Sequence, residues 1–242
     1  MKRLFDIFVS MLGLIITLPM LILVIFLVWV QDRYSPFYIA LRVGRGEELF
    51  RMVKLRSMVI NADKTGVDST SKNDNRITLI GHFIRRFKLD EITQLWNVLR
   101  GEMSLVGPRP NVKREVDLYT DDEKLLLSVT PGITDFASNV FADEGEILAG
   151  RKDPDLSYNQ LIRPWKSRLG LFYVNNRSFW LDIRLIVLTM WAMVNRKKAL
   201  VGVSNLLSKM GADKELVDIS KRENELIPAP PPGSSQVVVS RC

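Results

Sequence analysis

IFVSMLGLIITLPMLILVIFLVWVQ, residues 7–31, decides the fold: the stretch carries no charge and has Pro19 near its middle. A helix of this length covers the hydrocarbon core of a bilayer, and a soluble core element does not need it. Proline withholds a backbone donor and crowds the preceding turn, so a helix here is expected to bend after Leu18. Lys2 and Arg3 precede the run, and Arg33, Arg42 and Arg45 follow it. A single span should be cationic mainly on one side. Positive charge on both sides therefore favours a re-entrant helix that dips into one leaflet and returns, with a straight span as the alternative. A cleaved signal peptide is not expected, because the apolar run is too long and no small-x-small site follows it.

Outward from this segment, the chain has 242 residues and a formal net charge of +7. Setting aside residues 1–31 as the membrane helix and a Pro-rich tail at 221–242 as disordered leaves 32–220, about 190 residues, as one catalytic domain with its own core. The positive balance suits an anionic membrane surface, a phosphorylated substrate or nucleic acid. Its one cysteine is Cys242 and its one histidine His82. Disulfides, zinc clusters and Ser-His or Cys-His catalysis are thereby set aside, and His82 reads as a packed or surface residue. An enzyme built from this sequence works with carboxylates, lysines, arginines and Mg²⁺.

The expected fold is mixed α/β and helix-rich. Phe37–Val43 and Glu48–Leu55 read as a short antiparallel ribbon around Gly44-Arg45-Gly46, and the polar residues 61–76 as a mobile surface loop. Ile77, Ile80, Phe83, Ile84 and Phe87 recur at helical spacing opposite Arg85, Arg86 and Lys88, giving a basic amphipathic helix. A second helix opens with Asp90 at its N-cap and ends at Gly101. Residues 121–129 and Ser157–Arg168 are also helical in pattern. Phe179–Val194 suits either an interfacial helix, with Arg196-Lys197-Lys198 following, or an ordinary core helix.

Two clusters point to phosphate chemistry. Lys54 and Arg56 sit two apart on a strand, about 7 Å from each other on one face, which is the reach of a diphosphate; the alternative is a pair of solvated edge charges. Asp90-Glu91 is the acidic pair of interest. An aspartate at a helix N-terminus has a pKa at or below about 3.9 and is an anion without any histidine to activate it, although an acidic first turn also simply stabilises a helix. Arg85, Arg86, Lys88 and Arg109 supply the cations that let a carboxylate approach phosphorus, and Pro108 and Pro110 restrict the backbone around Arg109.

Lys54-Leu55-Arg56-Ser57-Met58, Leu89-Asp90-Glu91-x-x-Gln94-Leu95-x-Asn97-Val98-Leu99-x-Gly101-x-Met103-Ser104-Leu105-Val106-Gly107-Pro108-Arg109-Pro110 and Pro131-Gly132-Ile133-Thr134 together closely resemble the bacterial sugar transferases that are monotopic polyprenyl-phosphate phosphoglycosyl transferases. The resemblance covers about residues 1–200. It implies a UDP-sugar donor, a polyprenyl phosphate acceptor, UMP release and a covalent phosphosugar on Asp90, at the cytoplasmic face of the bacterial inner membrane among phospholipids. Glu91 would be the partner of Asp90, Arg85 and Arg109 would contact phosphate, Asp90 would hold Mg²⁺, and Pro19 would mark the break in the re-entrant helix. A homodimer stays open. The sequence departs from the family pattern after Thr134, where Asp135-Phe136-Ala137-Ser138-Asn139 replaces a run that ends in arginine; Arg151 is the candidate substitute, and the sugar is left undefined.

Two other readings compete. Asp153-Pro154-Asp155 would serve as the metal-diphosphate motif of a glycosyltransferase releasing UDP, but three such residues usually make a turn. A non-catalytic basic adaptor on the membrane would also fit the charge. A nucleic-acid partner is not expected, since aromatics are not interleaved with basic residues on any expected sheet or reading helix.

Overall fold

A computed structural model of the chain describes residues 1–65, 69–71 and 74–240. The apolar run folds as α1 (Lys2–Asp32), and it is the one helix among the described residues long and apolar enough to cross a membrane. The helix continues through Pro19 instead of ending there. Close to the proline, the Thr17 hydroxyl donates back to the Gly13 carbonyl at 2.7 Å. Asp6, Ser10, Leu21, Val24 and Val28 make a buried face, while the opposite face, from Leu4 and Phe8 to Trp29 and Val30, is exposed.

Both ends of α1 are tied to the domain that follows. Near the N-terminus, Lys2 donates to the Val106 carbonyl at 3.0 Å and pairs with Asp182. Arg3 donates to the carbonyls of Val98 and Leu99, and the buried Asp6 carboxylate accepts from the Ser104 hydroxyl at 2.8 Å. At the far end, Asp32 is held by both terminal nitrogens of Arg56. Between them, Leu21, Val24 and Val28 pack with Leu55, Ile84 and Leu89 into a small core of their own. Each such fully buried aliphatic chain contributes about 1.5–3 kcal/mol.

The expected ribbon forms from β1 (Phe37–Val43) and β2 (Leu49–Leu55), antiparallel, with Tyr38 opposite Lys54 and Ala40 opposite Met52. After it come α2 (Leu79–Arg86), α3 (Leu89–Ile92), α4 (Leu95–Arg100) and β3 (Ser104–Val106). Next in order are α5 (Lys113–Val116), α6 (Asp121–Lys124), β4 (Gly132–Thr134), α7 (Phe136–Val140), α8 (Glu144–Ile147) and α9 (Pro154–Leu161). The chain then runs through α10 (Arg163–Asn176), α11 (Phe179–Val194), α12 (Arg196–Lys209) and α13 (Lys214–Lys221). The main core lies among the later helices, around Trp165, Phe136, Leu169, Leu185 and Leu207. In α11, Leu181 and Leu185 join this core, while Trp180, Met190, Trp191 and Val194 stay exposed. That split face is the pattern of a helix half in the domain and half at an apolar boundary.

Three expectations need correction. The helix that was to open at Asp90 opens one residue earlier: Lys88 adopts a left-handed conformation, φ 53°, to turn the chain from α2, so Asp90 lies inside the first turn of α3. The loop expected over 61–76 has an anchor on the domain, its Ser69 N–H donating to Asp155 Oδ1 at 2.8 Å. Arg76 grips Asp74, and Met58 bridges to Ile77; residues 66–68 and 72–73 fall outside the described residues. The Pro-rich segment after Lys221 is not free chain as far as Ser240. Ala229 is buried and donates to the Gln160 carbonyl at 3.0 Å, and Gln160 donates to the Val238 carbonyl at 2.7 Å. Proline's fixed φ makes such an extended strap inexpensive to order.

The fold also buries an ion pair that sequence periodicity does not announce. Glu123 is fully buried, accepts from Nε of Arg163 at 3.1 Å and from the Ser167 hydroxyl at 2.6 Å, and closes a capping box with Thr120. Removing one partner of such a pair strands the other charge. Arg163→Met is expected to destabilise the domain by about 3–5 kcal/mol, read as a lower midpoint in urea, while pairing it with Glu123→Gln recovers much of the loss.

Candidate active site

Four elements converge on Asp90. α3 carries Asp90 and Glu91, and Leu89 beside them is buried against α1, so the long apolar helix helps fix the acidic pair. β2 contributes Lys54. Its edge is satisfied by a side chain instead of a third strand: the Val53 N–H donates to Asn97 Oδ1 at 2.9 Å, and Asn97 Nδ2 donates to the Arg51 carbonyl at 2.7 Å. This locks α4 to the ribbon. α2 supplies Arg85, whose Nε donates to the Ser57 hydroxyl at 3.0 Å.

The fourth element is the loop carrying Arg109 between the buried Pro108 and Pro110. It leaves β3, which pairs in parallel with β4. Gly107 and Gly132 let the two strands leave their pairing in backbone contact: a Cβ on Gly132 would lie 2.1 Å from the Gly107 nitrogen. Gly107 donates to the Thr134 carbonyl at 2.9 Å and Gly132 to the Pro108 carbonyl at 3.0 Å. Arg109 thereby reaches Glu91, with Nη2 3.1 Å from Oε1.

Electrostatics separates the two acids. Asp90 keeps some exposed surface, and burial pushes its pKa up, against the pull of Lys54, Arg109 and Arg85. That overturns the expectation of a pKa at or below the usual carboxylate value, because desolvation outweighs the short helix's N-terminus. Burial also acts to raise Glu91, but Arg109, Lys88 and Lys54 outweigh it and hold its pKa down. Burial first, then the charge of Arg109, lowers the Lys54 amine to about 8. Among the described residues the Asp90 carboxyl accepts no hydrogen bond, so its oxygens stay available.

Lys54, Arg85, Glu91 and Arg109 are thus gathered around Asp90. Arg56 is not: it is spent on Asp32 and the Ser35 carbonyl, tying the end of α1, so the Lys54–Arg56 clamp does not form. Arg151 is exposed and stands outside the site's cavity. Asp153 caps α9 by accepting from the Leu156 N–H, and Asp155 accepts from the Ser69 N–H. These structural uses remove the support for a metal-diphosphate motif there.

A polar cavity of about 140 Å³ extends from Lys54 and Arg109. Its remaining charged wall is Arg42, Glu115, Glu144 and Lys166, with Tyr158 beside them. Sequence reading missed these. Arg42 was within reach of it, since the hairpin register puts Arg42 on the Lys54 face; the others come from separate helices with no shared motif.

A metal is judged by its donors. Among the described residues, three or more His, Cys, Asp or Glu side chains do not gather into a cage. Mg²⁺ commonly takes one or two carboxylates and completes its shell with water and phosphate oxygens, so Asp90 with a bound diphosphate fits that ion.

A sequence profile described as bacterial sugar transferase matches residues 1–196. Among curated relatives, UDP-galactose-lipid carrier transferase of Erwinia amylovora is 36% identical over 214 residues, 82% of this chain and 41% of the relative. Undecaprenyl-phosphate galactose phosphotransferase of Salmonella typhimurium gives the same identity and coverage. Exopolysaccharide production protein ExoY of Sinorhizobium fredii is 32% identical over 207 residues, 79% of this chain and 84% of the relative. The chain therefore spans less than half the length of the first two relatives.

Proposed function

The chain belongs to the bacterial sugar transferase family, and from that premise we propose that it transfers a phosphosugar from a UDP-sugar to a polyprenyl phosphate through an ester on Asp90. An Asp90 carboxylate oxygen attacks the sugar-bearing phosphorus, the bond to the bridging oxygen breaks, and UMP leaves with the electron pair. A phosphate oxygen of the polyprenyl phosphate then attacks the same phosphorus, restoring the carboxylate and giving a polyprenyl diphosphate sugar. The observation that carries this reading is an Asp90 carboxyl without a hydrogen-bond donor among the described residues, acted on by the charges of Lys54, Arg109 and Arg85. Those cations offset the repulsion between carboxylate and phosphate. Mg²⁺, held by Asp90 and the donor's phosphates, would supply further charge neutralisation.

The lipid substrate places the reaction at a membrane. Lys2, Arg3 and Asp6 at one end of α1 and Asp32 at the other all bind one domain; because the helix runs through Pro19 without a break, a re-entrant form would need a bend there. The exposed apolar faces of α1 and α11, with Phe83 and Phe87 of α2, are the surfaces that would meet phospholipid. The direct test is incubation with UDP-sugars and Mg²⁺, assayed for UMP and, by intact mass, for a phosphosugar adduct. UDP release without an adduct would discard the reading.

Lys54 provides a pH test. With its amine lowered to about 8, it is an ammonium below that pH and neutral above it, so the phosphates of the donor lose one counter-charge as pH rises. The KM for the UDP-sugar is expected to climb between pH 8 and 9.5, by up to about tenfold per unit. Lys54→Arg should flatten the climb, because a guanidinium stays charged throughout; an unchanged climb in that variant would assign it elsewhere.

A further inference from the structure

The cavity has two chemically different ends, and the reading of Asp90 as nucleophile uses only one. The groups acting on Asp90 are Lys54, Glu91, Arg109 and Arg85. Those acting on Glu115 are Arg42, Lys166, Glu144 and Arg163. Arg109 bridges the ends: it pairs with Glu91 and also feels Glu144. A donor whose diphosphate lies on Lys54 and Arg109 therefore has a wall of mixed charge, Glu115 and Glu144 with Arg42 and Lys166, within reach of the group next to it.

That wall is built from three helices. α5 brings Glu115, α8 brings Glu144, and α10 brings Lys166, which pairs with Glu144 and lies 5.2 Å from the Tyr158 ring centroid. The Glu115 carboxyl has no ion pair or hydrogen bond among the described residues, and burial raises its pKa. The carboxyl lines the cavity, where a ligand can reach it. Phosphate cannot be its ligand, since two anions would face each other. A hydroxyl can, by donating to Glu115 or Glu144 and accepting from Lys166.

Size and lining choose between the two hydroxylated parts of the donor. At about 140 Å³ the cavity is smaller than the roughly 300–1,000 Å³ that encloses drug-sized ligands, so its size matches one ring better than a whole nucleoside. Its lining is mainly polar, and Lys166 already covers the Tyr158 ring. A uracil base wants an open apolar or aromatic face, whereas a pyranose offers hydroxyls around its rim. Resting on the proposed reading of the site, we infer that Glu115, Glu144 and Lys166 recognise the sugar ring of the UDP-sugar and select among sugars by the positions of their hydroxyls. It is this wall, not Arg151, that supplies the donor contacts after the sequence departs from the family pattern at Asp135.

The test separates sugar from nucleotide. UMP affinity is measured by calorimetry, and UMP release is measured for a panel of UDP-hexoses and their 2-acetamido and C4-epimeric forms. Glu115→Gln is expected to hold UMP within twofold of wild type, to lower kcat/KM for the preferred donor at least tenfold, and to change the preference between C4 epimers at least fivefold. Glu144→Gln combined with Lys166→Met, which removes both charges of the pair together, should shift preference likewise. Retained UMP affinity also shows that each variant is folded. If kcat/KM falls equally for all donors, or UMP affinity falls in step with it, the wall serves the nucleotide or the fold and the inference is overturned. If wild type releases no UMP from any donor, the parent reading fails first and takes this one with it.

Discussion

Asp90→Asn is expected to abolish both the phosphosugar adduct and UMP release, a fall of about 10³-fold or more, while the protein still melts within a few degrees of wild type. The size follows from the role: an amide oxygen has no charge to donate to phosphorus, and losing a covalent nucleophile removes the whole two-step route. The mild effect on folding follows from the surroundings. The carboxyl makes no hydrogen bond among the described residues, so the isosteric amide breaks none, and it relieves the burial that raises the carboxyl's pKa. Against this, the substitution removes one of two negative charges facing Lys54, Arg85 and Arg109, a change on the order of 1 kcal/mol at a site still open to water. Intact mass after incubation with donor and Mg²⁺ gives a yes-or-no answer. An adduct of phosphosugar mass on the Asp90→Asn variant would move the nucleophile to another residue, with Glu91 the nearest.

How much of this was readable beforehand differs by the kind of signal. The ribbon was legible because Gly44-Arg45-Gly46 sits between two seven-residue strands, and Gly46 does take φ 65°. The long apolar helix was legible from length alone. The parallel pair β3–β4 was not, because three residues per strand leave no period to detect, and the pairing depends on Gly107 meeting Gly132 across the sequence. The start of α3 was misplaced because Lys88, a residue with no special taste for positive φ, is forced there by the turn between two packed helices. Arg56 was misread for a related reason. Strand alternation puts it on the Lys54 face, but β2 ends at Leu55 and the chain turns it to Asp32. The family resemblance, more than local pattern, singled out Asp90, Glu91 and Arg109; only the tertiary contacts bring Arg109 to Glu91 and set burial against the helix end at Asp90.

Arg109→Lys is expected to lower kcat/KM for the UDP-sugar by about 10²-fold although the formal charge is kept, the size seen when one preorganised donor to a developing anion is lost. The argument is geometric. The guanidinium is a planar fork, and one terminal nitrogen is engaged 3.1 Å from Glu91, which leaves its other N–H groups to bind a donor phosphate in the proposed reaction. Buried prolines on both sides and the Gly107–Gly132 contact deny the loop the freedom to realign a shorter, single-point ammonium. A lysine therefore satisfies Glu91 or the phosphate, not both. If it chooses phosphate, Glu91 loses its main counter-charge and its lowered pKa relaxes upward. Any acid-side fall in rate that follows Glu91 should then begin at higher pH in the variant than in wild type. UMP affinity should drop less than kcat/KM, because the fork matters most where charge builds up during transfer. A loss below threefold, with an unmoved acid limb, would show that Arg109 merely lines the site and that Lys54 and Arg85 carry the phosphate alone.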